Sequence, residues 1–425
     1  MRFITDTDVN KYEDFVINHP TKSHFMQSAA WGELNKEARG MDYRLVSLED
    51  DSGKICAAAL LLIKKPPVFP AYIYSPRGFV LDYSDKALLK EFTDHVVAFG
   101  KSIGAMFIKI DPDVELREIL RDGSNDPDGP DGQYAVDNIL ASGFAPNKDK
   151  KIFGGRQPRF TFRIDLTGSE AEIKKRVTGN VMKNIRKGNE YYPCSIRLGD
   201  EKDIPDLHRL VMLTSERDDF VGYSLQYYQD LYRVLARHNM VKLYVGTAYP
   251  SEICDSLISR KADIEKALPT YKKEAKINEA HIMLERLENE IALFRDYAEQ
   301  YPDGEVISVH FVVRYGKHEW AVHAASAGVM NETFLNNRVY WQKIIDAKAD
   351  GAEWIDQFGT VGDPEHSPLK SLHEFKRQFG GRYCEFVGEY DYVLKPFWYS
   401  LYYDLLPKVR SFRITVKQAF QKKSR

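Results

Sequence analysis

Cysteine is scarce in this chain. There are four, Cys56, Cys194, Cys254 and Cys384, set far apart and without a Cys-x-x-Cys pair. That spacing excludes a disulfide framework or a cysteine zinc site and fits a reducing cytoplasm. Long apolar runs are also missing. The longest, 55–63, spans nine residues and stops at Lys64-Lys65, under half of the roughly 20 needed to cross a bilayer. Residues 1–10 carry acids where a signal peptide needs an apolar core, so no export is expected. Net charge is nearly absent, since 60 Lys and Arg against 62 Asp and Glu leave −2 at pH 7. A wholesale basic nucleic-acid binder is thereby excluded, though not a molecule whose charges are sorted into patches. There is no Gly-x-Ser-x-Gly elbow, no His-Glu-x-x-His and no Walker loop. An Arg/Gln-x-x-Gly-x-Gly/Ala pyrophosphate loop is missing too, which argues against a plain acetyl-CoA-dependent acetyltransferase.

What remains is an ordinary globular composition, 43% hydrophobic and 29% charged, in 425 residues. That length suits two or three domains, each with its own core. Short apolar segments at 55–63, 72–75, 79–82 and 105–110 read as strands, and the spacing of Leu89, Phe92, Val96 and Phe99 predicts a helix over 86–101. The acidic, Gly/Pro-punctuated stretch 122–132 reads as an exposed loop, and 152–165 as the crossing into a second domain. Further helices are expected at 173–187, 204–216, 227–236 and 336–350, and strands at 241–246 and 354–358. A β-hairpin turns at Gly316-Lys317, and a helix over 367–379 has Ser367 and Pro368 at its start and Gly380-Gly381 at its end. Between 254 and 301 the period changes. Ile277, Leu284 and Ile291 repeat at seven, with Ala280, Leu287 and Phe294 between them, and Pro269-Thr270 marks a turn. This pattern predicts an antiparallel helical hairpin, either a structural or dimerising coiled coil or an arm that reaches a large ligand.

At the last helix the sequence becomes recognisable. Phe375-Lys376-Arg377-Gln378-Phe379-Gly380-Gly381, preceded by Trp354-Ile355-Asp356-Gln357-Phe358-Gly359, resembles the FemABX family of peptidoglycan aminoacyltransferases. Phe25-Met26-Gln27-Ser28 with Trp31-Gly32, Tyr74-Ser75-Pro76-Arg77-Gly78 and Ile108-Lys109-Ile110-Asp111-Pro112 resemble its first-domain motifs. Met182-Lys183-Asn184-Ile185-Arg186-Lys187 and Glu216-Arg217-Asp218 with Tyr227-Tyr228 resemble those of its second domain. The helical insert has the place and size of the arm in the FemA, FemB and MurM branch. The resemblance implies an α/β fold of two GNAT-like domains with mixed sheets and an inserted coiled-coil arm. Expected bounds are 1–155 for the first domain, 156–253 and 303–390 for the second, 254–302 for the arm, and 391–425 for an aromatic and basic C-terminal segment. The implied reaction moves an amino acid from aminoacyl-tRNA to a stem-peptide amine of lipid II or its UDP-linked precursor. No cofactor is implied, the aminoacyl-tRNA being a co-substrate.

Such a reaction needs a deprotonated amine, a charge beside the tetrahedral oxyanion and a proton path to the leaving ribose. The resemblance assigns Lys376 the cationic part, with Phe375 beside it at a pocket; the plain alternative is a solvated helix lysine. Asp356 is either an orienting acid or a turn residue closing a strand. For substrate binding the resemblance offers Lys36, Arg77, Asp111, Arg217, Tyr227 and His323. The position of an expected phosphate lysine falls on Asn35, and that of an expected arginine on Tyr223, which joins the candidates. His366 and His373 read as surface histidines rather than metal ligands.

Two basic patches bear on partners. Lys174, Lys175, Arg176, Lys183, Arg186 and Lys187 lie close together with no acid between them, a candidate grip on tRNA or precursor phosphates (Lys183, Arg186 and Lys187 above all) or a solvated face. Residues 395–425 hold eight Lys and Arg against Asp404, together with Phe397, Trp398, Tyr399, Tyr402 and Tyr403. That composition suits either a segment lying on an anionic cytoplasmic leaflet or a docking helix with a basic tail. A homodimer or a related transferase is a further candidate partner. Beside the transferase reading stand two alternatives, a non-catalytic precursor-binding or partner-binding protein and a tandem N-acyltransferase using acyl-CoA.

Overall fold

The apolar run at 55–63 becomes strand Ile55–Lys64, paired antiparallel with Asp42–Glu49 on one side and Tyr72–Ser75 on the other. The computed structural model describes residues 1–147, 156–218 and 222–403, the side chains of 216–218 excepted. Two compact units emerge. The first comprises Met1–Thr161, Gly359–Asp363 and Tyr383–Arg425, the second Phe162–Phe358 and Pro364–Arg382.

In the first unit a mixed sheet has the order Arg2–Ile4, Asp42–Glu49, Ile55–Lys64, Tyr72–Ser75, Phe107–Ile110, Tyr390–Val393, Ala145–Pro146. Only Tyr72–Ser75 and Phe107–Ile110 run parallel among these neighbours. Helix Lys86–Ser102 starts where the Asp85 carboxylate accepts the Leu88 N–H, and it buries Leu89, Phe92 and Val96 at helical spacing against Ile73 and Ile108. The segment 79–82 forms no regular strand; Val80 makes an isolated bridge to Ala58, because the Phe79 N–H is spent on the Tyr83 hydroxyl.

In the second unit six strands lie in the order Phe160–Asp165, Trp354–Asp356, His318–Ser326, Glu305–Tyr315, Val241–Ala248, Cys194–Leu198. The pairing is antiparallel except between His318–Ser326 and Trp354–Asp356. The helix expected over 173–187 is two helices, Glu170–Arg176 and Gly179–Tyr191. Val177 is buried and extended between them, and the Thr178 N–H leaves the helix to donate to the Gln378 carbonyl. The helix expected from Ser367 begins at Lys370, since the Ser367 hydroxyl accepts the Leu369 N–H and closes a turn instead.

The seven-residue repeat corresponds to helix Glu274–Gln300, antiparallel to Pro250–Ala267 across a short turn at Leu268–Thr270. Leu257, Leu287, Ile291 and Phe294 share one cluster, Cys254 Sγ donates to the Ile291 carbonyl, and Lys261 pairs with Glu288. The hairpin is tied to the unit through Glu290, which accepts from the Tyr192 hydroxyl at 2.7 Å.

The expected division ran the second domain on to 390. Contacts instead return the chain to the first unit at Tyr383, because Tyr390–Val393 pairs with Phe107–Ile110 in the first sheet. Residues from 396 to 403 are helical, and two of their tyrosine rings are packed inward: Tyr402 lies against Phe69, Tyr72 and Phe107, and Tyr399 against Phe107. These tyrosines serve a docking helix, not a lipid-facing stripe. The basic residues at 408–425 lie outside the described residues.

Candidate active site

In the second unit, the last turn of helix Lys370–Arg377 carries Lys376 inward. The residue is 7% exposed, and its ammonium donates to the Phe358 carbonyl at 3.1 Å. Phe358 has φ +57, a left-handed backbone that turns this carbonyl at the end of strand Trp354–Asp356. Asp356 fixes the turn: one carboxylate oxygen accepts the Phe358 N–H at 2.7 Å and the other accepts Arg163 Nε at 3.0 Å. Gln357 locks the strand to the helix, donating from its side chain to the Lys376 carbonyl and from its N–H to Phe162. Burial brings the Lys376 pKa down to about 8, and the Asp356 carboxylate opposes that fall. At neutral pH Lys376 is therefore mostly a cation, close to the point at which it could lose its proton.

Phe375 does not stand beside Lys376 at a pocket. Its ring packs edge-on against Tyr340 at 4.8 Å and against Phe379 at 5.4 Å, within an apolar cluster. The apolar stripe of the helix claims Phe375, and the next position, about 100° round the helix, is left for Lys376. His373 is not a surface residue: it is 1% exposed, stacks edge-on to Phe162, and burial with Arg377 and Lys376 nearby pulls its pKa to about 4.

A polar group that no motif announced lies on the adjoining helix. Lys343, on helix Leu335–Ala349, is fully buried, with its amine 3.4 Å from the Tyr340 ring centroid and 3.5 Å from His310 Nδ1. His310 Nε2 meets Asn336 Oδ1 at 2.9 Å, and the Ser308 hydroxyl donates to that oxygen at 3.0 Å. Burial holds both Lys343 and His310 well below their usual values, and the charge of Lys376 depresses each further. One signal for Lys343 was present in the sequence: it interrupts the buried stripe of Val339, Tyr340, Ile344 and Ala347 at a core-facing position.

The other candidates fall into separate places. Tyr223, Tyr227 and His323 do come together: Tyr223 and Tyr227 lie 4.2 Å apart, and His323 meets Tyr228 at 5.1 Å and Tyr223 at 6.2 Å. They form a partly open aromatic group of the second unit. Arg217 is in helix Ile204–Asp218, and its side chain lies outside the described residues. In the first unit, Asp111 accepts the Arg77 N–H at 2.6 Å and the Tyr74 hydroxyl at 2.7 Å, and burial raises its pKa to about 6. The Arg77 guanidinium is 4% exposed, donating to the Pro158 carbonyl and lying over the Phe386 ring. That geometry makes it a structural arginine rather than a phosphate grip. Lys36 is exposed on helix Ala29–Arg39, while Asn35 is buried and bonded to the Trp31 carbonyl.

The basic helix Gly179–Tyr191 also divides its residues. Lys183 and Arg186 border an open groove of about 690 Å³ together with Lys174, Glu190, Met182 and Trp341. Lys187 turns away toward Glu290, its ammonium over the Tyr192 and Phe334 rings.

A model of the FemAB family matches residues 7–406. The chain belongs to the FemAB family. A lipid II:glycine glycyltransferase of Staphylococcus aureus (strain bovine RF122 / ET3-1) is 27% identical over 97% of this chain and 98% of its own length. The enzyme of that name from Staphylococcus haemolyticus (strain JCSC1435) is 25% identical with the same coverage. The crystal structure of FemX superimposes with a TM-score of 0.73 at 25% identity, covering 94% of this chain and 99% of FemX. The FemABX resemblance read from the motifs is thus established, and the two mixed sheets with the FemX likeness establish the α/β fold class. Within this FemAB-family chain, among the described residues, no helix is long and apolar enough to cross a membrane, and no group of three or more His, Cys, Asp or Glu is placed to hold a metal.

Proposed function

We propose that this protein transfers an amino acid from aminoacyl-tRNA to a stem-peptide amine of a lipid-linked peptidoglycan precursor, lipid II or its UDP-linked counterpart. The observation that carries the reading is Lys376, a buried ammonium held on the Phe358 carbonyl with a pKa near 8, within a chain whose full-length relatives are named lipid II:glycine glycyltransferases. In the proposed step the acceptor amine forms a C–N bond to the ester carbonyl, whose oxygen takes the negative charge beside Lys376. Collapse breaks the C–O bond to the tRNA ribose, and the proton lost by the amine ends on that ribose oxygen. A fixed charge-stabilising donor of this kind is worth a factor of about 10²–10³ in rate. Asp356 acts as a positioning residue, setting the Phe358 carbonyl and supporting the lysine's charge.

For the donor, the groove bordered by Lys174, Lys183 and Arg186 offers cations for tRNA phosphates and the Trp341 ring beside them. The aromatic group of Tyr223, Tyr227 and His323 in the second unit is the proposed site for the precursor. The reading assigns no cofactor. It places the protein at the inner face of a membrane, and it assigns the helical hairpin to tRNA, to a second copy or to a related transferase.

Incubation with charged tRNA and lipid II tests the proposal. Transfer of labelled amino acid that is abolished by RNase supports it. Binding of precursor without transfer would make the protein a non-catalytic binder, and RNase-resistant transfer requiring acyl-CoA would replace the donor.

A further inference from the structure

The first unit carries two unusually exposed apolar side chains, Val68 at 87% and Phe397 at 71%. They come from distant parts of the sequence, and the residues next to them meet in space: Phe69 lies 6.3 Å from Trp398 and Phe397 5.6 Å from it, ring centre to ring centre. Beneath them Tyr402, 5% exposed, packs on Phe69, Tyr72 and Phe107, so the patch stands on an aromatic base continuous with the sheet. Val68 has φ +64, a backbone that a β-branched residue adopts only against steric cost, although glycine or asparagine would sit there freely. Pro66, Pro67 and Pro396 restrict the chain on either side of the apolar tips.

The two segments that carry the patch hold charge of one sign. Lys64, Lys65 and Lys395 flank it, and neither 64–70 nor 395–403 contains an acidic residue. The sequence that follows, 404–425, holds seven Lys and Arg and a single Asp. A second copy of this chain would set lysines against lysines. Apolar tips with an amphipathic tryptophan and a rim of lysines match instead the boundary between the headgroups and acyl chains of an anionic bilayer.

We propose that Val68, Phe397 and the edge of Trp398 form a patch that enters the interface of an anionic bilayer, with Lys64 and Lys65 at the level of the lipid phosphates. This places the lipid contact on a folded loop-and-helix surface of the first unit. It rests on the transferase reading only for its purpose, which is to hold the chain beside a lipid-borne acceptor.

The test uses the full chain and vesicles of phosphatidylcholine, alone or mixed with phosphatidylglycerol. The double substitution Val68→Ser/Phe397→Ser changes only exposed side chains. It should lower partitioning onto the mixed vesicles about tenfold or more, as expected for two apolar side chains withdrawn from an apolar phase. Unchanged near-ultraviolet circular dichroism would show that the fold is kept. Lys64→Gln/Lys65→Gln should lower partitioning about fivefold per charge and only at low salt. Tryptophan fluorescence quenched by brominated lipid in the wild type, and not in Trp398→Phe, supports insertion at this patch. Unaltered partitioning of the double variant would overturn the proposal, as would quenching that persists in Trp398→Phe. Transfer measured on precursor in detergent micelles separates the two readings. Variants that lose vesicles but keep transfer support the patch. Patch-dependent vesicle binding by a chain that transfers nothing would leave the patch standing and remove the transferase reading.

Discussion

Lys109 of the first unit and Lys376 of the second are both buried lysines, and their surroundings are opposite. Lys109 is 1% exposed and faces two carboxylates, Glu389 and Asp391, the second at 2.8 Å. Lys376 is 7% exposed and bonded to a main-chain carbonyl, while the carboxylate in its field, Asp356, is engaged by Arg163 and the Phe358 N–H. Full compensation fixes a charge and makes it part of the structure. A buried ammonium held on a carbonyl, with its pKa brought down to about 8 by burial, suits the charge that a developing oxyanion requires.

The largest effect should come from the compensated lysine. Lys109→Met leaves Glu389 and Asp391 buried without their cation and should cost about 3–5 kcal/mol in urea unfolding. A loss below about 1 kcal/mol, the range of a surface pair, would erase the contrast. Next comes Asp356→Asn, which deprives Arg163 and the Phe358 N–H of a charged acceptor. A stability loss of about 2–3 kcal/mol is expected there, and the Lys376 pKa should fall further because the carboxylate that raised it is gone. Third is pH. With the lysine charged below about 8 and neutral above it, a step that needs the cation is retained at low pH and lost as pH rises. Transfer should drop about tenfold between about pH 7 and pH 9, and the falling limb should shift to lower pH in Asp356→Asn. A limb unmoved by that change would separate Asp356 from the lysine. The smallest effect is expected at Lys343, whose amine has a ring and an imidazole for neighbours. Since burial already holds this lysine toward its neutral form, Lys343→Met should alter stability by no more than about 1 kcal/mol in either direction.

Much of the fold was legible because hydrophobic spacing is local. Leu89, Phe92 and Val96 announced their helix, and the seven-residue repeat of Ile277, Leu284 and Ile291, with Ala280, Leu287 and Phe294 between them, announced the hairpin. Lys376 was legible through its motif. The fate of Arg77 was not: the carbonyl that its guanidinium meets belongs to Pro158, far along the chain. Phe375 and Lys376 looked like a functional pair, yet only tertiary packing decides that Tyr340 takes the ring and the Phe358 carbonyl takes the amine. Similarly, the aromatics after 395 had the composition of a lipid-facing stripe. The docking of Tyr399 and Tyr402 on Phe69, Tyr72 and Phe107 depends on a return to the first sheet that no local pattern encodes. His310 and Lys343 carry no motif, and their meeting follows from a strand and a helix brought together by the core.

The most direct measurement is the rate of amino-acid transfer from charged tRNA to lipid II by Lys376→Ala beside the wild type, with urea unfolding of both. The account expects at least a tenfold loss of rate, approaching about 10²–10³ if the lysine supplies the whole oxyanion contact, from a variant that unfolds much as the wild type does. An unchanged rate would contradict it.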